Sequence, residues 1–570
     1  MLDSETLAPA ETARGDQGAE AVARSPWPVA APALGLALAA CGGGGGGSSG
    51  GSPPATSSGA VTVVAAPPTP VQASRFLGQG TMGATSADIT AVTTKGYATW
   101  LDEQLATARA TSFWDSLVAT GFNVVANRDN EAGWDPTVWR MLITSPDQLR
   151  QRVGMALLDM LVVGIGGINL NWRQFAMAAY VDVLWDNAFG NYRQILEGIT
   201  YNAAMGSYLT FLNNRKANPT TGSVPDENYA RELMQLFSLG VHQLNADGTV
   251  KTSGGAPLET YTPADVSGLA RVFTGLTLAS SDSSTPDRYR QRMVMNAANH
   301  ETGAATFLGT TVSGEGVAGI KSALDAIFAH PNVPPFVSRS LIQRLVTSNP
   351  SPAYVGRVAA VFADNGKGVR GDMPSVIRAI LLDTDARSDA ALTSTTAGRL
   401  RDPIGRLTGW ARAFGVTSPS NAWTIGDTSS TTSRLGQSPG RSPSVFNFFR
   451  PGYSPPNTAI SAASLVAPEF QITNEQTVIA FVNYMYGLVL NGAGDTKANY
   501  TATLTKAADS QALVDEVNLL LAAGQLPAPT VATIKAAVDS IATTATNGLQ
   551  NRVNAAIILT LASPDYLTVK

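Results

Sequence analysis

The stretch ENYARELMQLFSLG, residues 227–240, sets the structural class of this 570-residue chain. On a helical wheel Glu227, Asn228, Arg231, Glu232 and Gln235 fall within one arc, while Tyr229, Ala230, Leu233, Met234, Leu236 and Phe237 fill the opposite side. Glu227 and Arg231 stand four residues apart, a pair worth about 0.3 kcal/mol when exposed. Ser223 and Asp226 are candidate caps at the start, and Gly240 sits where a helix-ending glycine belongs. The pattern predicts an amphipathic helix. Whether its charged arc is a solvated surface or the lining of a buried site is open at this point. The expectation is the buried case, because apolar segments flank the helix on both sides in a chain with only 14% charged residues.

The same periodicity recurs outward from this segment. Residues 334–346, 370–382, 402–414, 473–490, 509–523, 529–543 and 549–561 all read as helices. Ser145-Pro146-Asp147-Gln148 predicts a helix start with Ser145 as N-cap, and Thr262-Pro263-Ala264-Asp265 predicts a capping box. The run MALLDMLVVGIG (155–166) is interrupted by Asp159 and preceded by two arginines, so it reads as a core helix and not a membrane span. Strand signals are few; Asp247-Gly248 marks a hairpin turn. The expected fold is mainly α: one large helical domain over residues 71–570 with one or two small β-hairpins.

Ahead of that domain lies a different composition. An apolar stretch over residues 29–40 ends in Leu38-Ala39-Ala40 before Cys41, the single cysteine, and GGGGGGSSGGS follows. Small residues before a cysteine and a flexible tether after it read as a bacterial lipoprotein signal over residues 1–40, with Cys41 as the lipidated residue and a linker over 41–70. The first 25 residues are acidic where such a signal is basic, and a start near Val22 restores the pattern. The expected location is the cell envelope, attached to the membrane through the Cys41 acyl chains. Gly42 after the cysteine points to the outer membrane, facing the periplasm or exported to the surface.

Composition also excludes. A net charge of −4 with no basic stripe argues against nucleic acid as a partner. A body without cysteine holds no Fe–S cluster or thiolate metal site, and GEGVAG (314–319) lacks the βαβ setting of a dinucleotide loop, so no cofactor is expected. The three histidines, His242, His300 and His330, show none of the paired spacings of a zinc site, and no metal is expected.

Two groups of residues are candidates for chemistry. His300-Glu301 precedes Thr302-Gly303, a loop sequence that leaves both side chains free for chemistry or, on the other reading, holds His300 as a structural residue hydrogen-bonded within the loop. With Glu227, Asn228, Arg231 and Glu232 they form the catalytic candidates, as general acid/base groups. The segment SPSVFNFFRPGYSPPN (442–457) crowds aromatics into a proline-stiffened loop, and Phe446, Phe449, Arg450 and Tyr453 are the binding candidates. A buried loop locking two helices together explains the same residues.

Several segments taken in order resemble the bacterial domain-of-unknown-function 1800 family. They are RFLGQGTMGATSADI (75–89), DNAFGNYRQILEGITYNAAMGSYLTFLNNRKANP (186–219), ENYARELMQLFSLG, YTPADVSGLARVFTGL (261–276), NHETGAATFLG (299–309), HPNVPPFVSRSLIQRLV (330–346), GQSPGRSPSVFNFFRPGYSPPN (436–457) and ASPDYL (562–567). The resemblance implies a secreted or envelope helical protein, often encoded beside proteins of domain-of-unknown-function family 1501, which makes such a protein a candidate partner. It implies no reaction and no agreed catalytic residues. Where the family often has His-Asp, this chain has His300-Glu301. Two functions stay open: an enzymatic or small-ligand site built from the 227–235 helix and the 299–302 loop, or a non-catalytic envelope scaffold that binds a protein partner.

Overall fold

The computed structural model of the chain describes residues 67–313 and 316–570. The signal segment, Cys41 and most of the linker lie outside the described residues. Among those described, 23 α-helices carry the fold, with four antiparallel sheets of two strands each. The mainly α expectation holds, with a few more strand pairs than the turn signals alone indicate.

The core is aromatic and continuous. Trp134, Trp139, Trp172, Trp185 and Trp410 are fully buried. Helix Gln148–Met160 carries the first half of the apolar run, which continues past the helix end as buried irregular chain, and it packs against helix Arg173–Asp186. The close approach needs Gly154, where a Cβ would stand 2.4 Å from the Trp185 ring. Ser145 is not the N-cap of this helix. It ends the preceding helix, Trp134–Thr144, and Asp147 takes the boundary position, buried, with Oδ1 accepting from Gln151 Nε2 at 3.1 Å. Burial gives the position to the carboxylate, because both Gln151 and Arg150 can reach it there.

Helix Pro263–Val272 opens with the expected box: Thr262 accepts from the Asp265 amide, and Asp265 accepts from the Thr262 amide. Asp265 also accepts the Leu308 amide at 2.7 Å, docking the hairpin Ala304–Phe307/Thr310–Ser313 onto the helix. Gly268 completes that contact, since its missing Cβ leaves room for the Thr306 carbonyl. The Asp247-Gly248 turn forms, with Gly248 at φ 78, but only a single Leu244–Val250 bridge flanks it.

Helix Val333–Leu345 lines the candidate site with Phe336, Arg339 and Arg344. It packs on helices Pro352–Ala363 and Gln148–Met160. Asn332, at its entrance and 1% exposed, donates to the carbonyls of Leu239 and His242 and accepts the Leu244 amide. One buried carboxamide thus clasps the end of the ENYARELMQLFSLG segment to the start of this helix, satisfying three backbone groups that would be costly to leave unpaired.

Candidate functional site

The opening stretch forms helix Asn228–Gln235, with Glu227 at its N-cap position. Asp226 accepts the Asn228 amide at 2.8 Å, whereas Ser223 lies in a separate turn closed by Asn218. The apolar side packs as the wheel predicts: Tyr229 stacks on Phe211 at 4.1 Å and shares a hydrogen bond of 2.7 Å with Thr200. The polar arc divides. Arg231 is exposed and pairs with Glu227 at 3.0 Å, and Glu227 also accepts from Ser267 Oγ. Glu232 turns inward, 6% exposed, and its Oε2 has no hydrogen-bond partner. Burial pushes the Glu232 carboxyl above its ordinary pKa, with Arg231 opposing. The buried expectation therefore fails for Arg231 and describes Glu232, because an eight-residue helix wedged into the core admits only part of its polar arc.

His300 and Glu301 are not free, as their loop sequence suggests. His300 is buried, with Nδ1 2.8 Å from the Thr274 carbonyl, and its Nε2 accepts the Gly316 amide at 3.0 Å, at the start of helix Gly316–Ala329. Glu301 accepts the Ala217 amide at 3.0 Å and lies 3.5 Å from Arg271. Helix Pro263–Val272 stands between the two candidate groups, Ser267 reaching Glu227 and Arg271 reaching Glu301. Each carboxylate is held by its own neighbour on that helix. Glu227, Arg231, His300 and Glu301 are thus held by exposed ion pairs or backbone amides, and Glu232 stands apart from them, buried.

A cavity of about 460 Å³ instead opens at the other end of the motif. Leu236, Leu239 and Val241 form one wall, Phe336 a second, and Val445 and Phe446 of the aromatic loop a third. Its volume lies within the range of small-ligand sites. Gly240 makes the corner: at φ 77 its amide returns to the Met234 carbonyl, and a Cβ there would meet the Phe336 ring at 2.9 Å. Polar groups break the apolar lining at a few points. Gln235 accepts from the Tyr261 hydroxyl at 3.2 Å, and His242 presents a buried Nδ1 with no partner. Burial, with Glu232 adding to it, pushes the Tyr261 phenol up to about 12. Arg339, Arg344 and Asp159 complete the wall.

The aromatic loop divides between this cavity and the core. Phe446 lines the cavity and lies under the Arg450 guanidinium at 5.0 Å. Phe449 is buried beneath Arg344, 4.9 Å from guanidinium to ring centre. The Tyr453 backbone ties the loop to Ala467, and its ring is half-buried away from the cavity lining. Asn447, at φ 60, turns the chain so that its amide donates to Asp159 at 2.6 Å. Phe336, Arg339 and Arg344 were within a segment of recognisable character, 330–346, but their convergence with the motif's far end depends on the Asn332 clasp, which no local pattern shows.

Among the described residues no group of three His, Cys, Asp or Glu side chains stands together as a metal site. The cavity offers guanidinium, imidazole and carboxamide groups around an apolar centre, a set suited to binding and orienting a ligand. No curated protein and no solved structure matches the chain. A family model described as "Protein of unknown function (DUF1800)" matches residues 75–568, nearly the whole of the described structure. The chain belongs to the DUF1800 family.

Proposed function

We propose that this protein is a cell-envelope lipoprotein whose helical body binds a small, largely apolar ligand in the cavity between residues 235–242, helix Val333–Leu345 and the 442–457 loop. The observation that carries the reading is the joining of three sequence-distant segments around one apolar volume of about 460 Å³. Apolar side chains from all three segments converge on this open space, with a few polar groups among them, as in small-ligand sites. Membrane attachment is assigned to Cys41, on the sequence around it, and the outer membrane is the proposed location. Titration of purified protein with a neutral apolar dye tests the binding reading, saturable binding supporting it and the lack of binding refuting it.

One observation favours a second reading, a scaffold for a protein partner such as a family 1501 neighbour. On helix Glu475–Asn491, Val478, Ile479, Tyr486 and Leu490 are 40%, 63%, 53% and 40% exposed. They form an apolar stripe of the kind that marks contact surfaces. Co-purification of the two proteins, lost on Ile479→Asp, would support this reading; co-purification unchanged by that substitution would not.

A further inference from the structure

Two guanidinium groups stand in the cavity wall, five residues apart on helix Val333–Leu345, and their surroundings differ. Arg344 is buried, lies over the Phe449 ring and is 3.5 Å from the Asp159 backbone carbonyl. The carboxylates of Asp159 and Glu469 both act on it through space, though neither reaches ion-pair distance. Arg339 has no such company. It is solvent-exposed where it lines the cavity, and among the described residues it makes no ion pair, hydrogen bond or aromatic stack. Partial desolvation by its apolar neighbours lowers its pKa.

Several less exposed arginines are paired instead. Arg109 pairs with Asp182 and Asp186, Arg412 with Asp88, and Arg441 with Glu131 and Asp135. Apolar neighbours raise the cost of a cation, and elsewhere the chain offsets that cost with a carboxylate or, at Arg152, Arg406 and Arg552, with backbone carbonyls. The sole carboxylate in the cavity wall is Asp159. Asn447 holds it at 2.6 Å, and it lies in the field of Arg344. The wall therefore carries one cation more than its acids match, beside Phe336, Leu239 and Val241.

Resting on the reading of this cavity as a ligand site, we infer that its ligand is an anionic amphiphile: an apolar chain ending in a single anionic group that Arg339 binds. A planar guanidinium meets a carboxylate or a phosphate with two parallel hydrogen bonds, and it is less strongly hydrated than an ammonium. The apolar tail replaces water against the Leu239, Val241 and Phe336 wall. His242, with its unpartnered Nδ1, lines the same space and can contribute a second polar contact.

Isothermal titration of the full-length protein below micellar concentrations tests this, using decanoate, decyl phosphate, decanol and decyltrimethylammonium. Decanoate, decyl phosphate or both should bind at least about tenfold more tightly than decanol, the scale of one charge-assisted contact. The comparison between those two identifies the head group. Arg339→Gln should remove the advantage over decanol and leave decanol binding unchanged, and Arg339→Lys should retain part of it. Decanol binding as tightly as both anions, or the ammonium binding best, would overturn the anionic inference while leaving the apolar site intact. An anion advantage that survives in Arg339→Gln would overturn the role of Arg339. Failure of all four compounds, together with a neutral apolar dye, would remove the ligand-site reading itself.

Discussion

The imidazole Nε2 of His300 accepts the amide N–H of Gly316 at 3.0 Å. A helix start leaves backbone donors without partners, and here a histidine from a distant loop satisfies one, its other ring nitrogen held 2.8 Å from the Thr274 carbonyl. The ring joins its loop to the start of helix Gly316–Ala329 and to Thr274, just beyond helix Pro263–Val272. His300→Ala should cost about 1–3 kcal/mol by stranding these groups. Chemical denaturation measures the loss, and ligand binding at the distant cavity should be unchanged in the folded fraction. Stability equal to the parent's would show that the ring holds nothing together.

Neighbouring residues of the motif should behave in opposite ways. Arg231→Ala removes an exposed pair with Glu227 and should change stability by less than about 0.5 kcal/mol. Glu232 is buried with a raised pKa, so the folded state holds its proton over a pH range where the unfolded chain has lost it. Unfolding free energy contributed by this group is thus highest at low pH and falls as pH rises through the folded pKa. Glu232→Gln removes the penalty. Its melting temperature should exceed the parent's at neutral pH, the gap closing as pH falls into the ordinary carboxyl range. A gap independent of pH would mean that Glu232 ionises without cost.

Gly240→Ala places a Cβ at a positive φ and 2.9 Å from the Phe336 ring. The expected cost is about 1–3 kcal/mol, from left-handed backbone strain and displacement of the ring. Because Phe336 lines the cavity, apolar ligand affinity should fall as well. Thermal melts and dye titration report the two effects separately, and an unaffected melt would show that the corner is not tight.

Periodicity and caps made most of the helices legible, down to the Thr262–Asp265 box, but the motif helix ends at its C-cap, Leu236, so Gly240 turns the chain beyond the helix and does not end it. Local patterns could not show which polar residues face inward. Glu232 and Arg231 are adjacent in sequence and fall on the same arc, yet the core encloses one and water reaches the other. His300-Glu301 before Thr-Gly reads as an open loop, but backbone amides from residues 217 and 316 arrive to occupy both side chains. Phe446 and Phe449 share one aromatic loop. The left-handed turn at Asn447 sends one to the cavity and the other beneath Arg344. Arg339 carried no local signal, since a guanidinium is conspicuous only once its lack of a partner is seen.

The envelope assignment rests on Cys41 and is tested apart from the fold. Cys41→Ser should abolish incorporation of a fatty-acid analogue and leave unprocessed precursor in cells. Labelling at the parent's level would rule out this cysteine as the attachment point.

Filling the cavity tests its function most directly. Ser340 lines it from helix Val333–Leu345, and Ser340→Trp would place an indole in that space. A neutral apolar dye should bind the parent protein saturably with one site per chain, and Ser340→Trp, at an unchanged melting temperature, should weaken that binding about tenfold or more. Dye affinity and stoichiometry unaltered by the substitution in a folded variant would contradict the account.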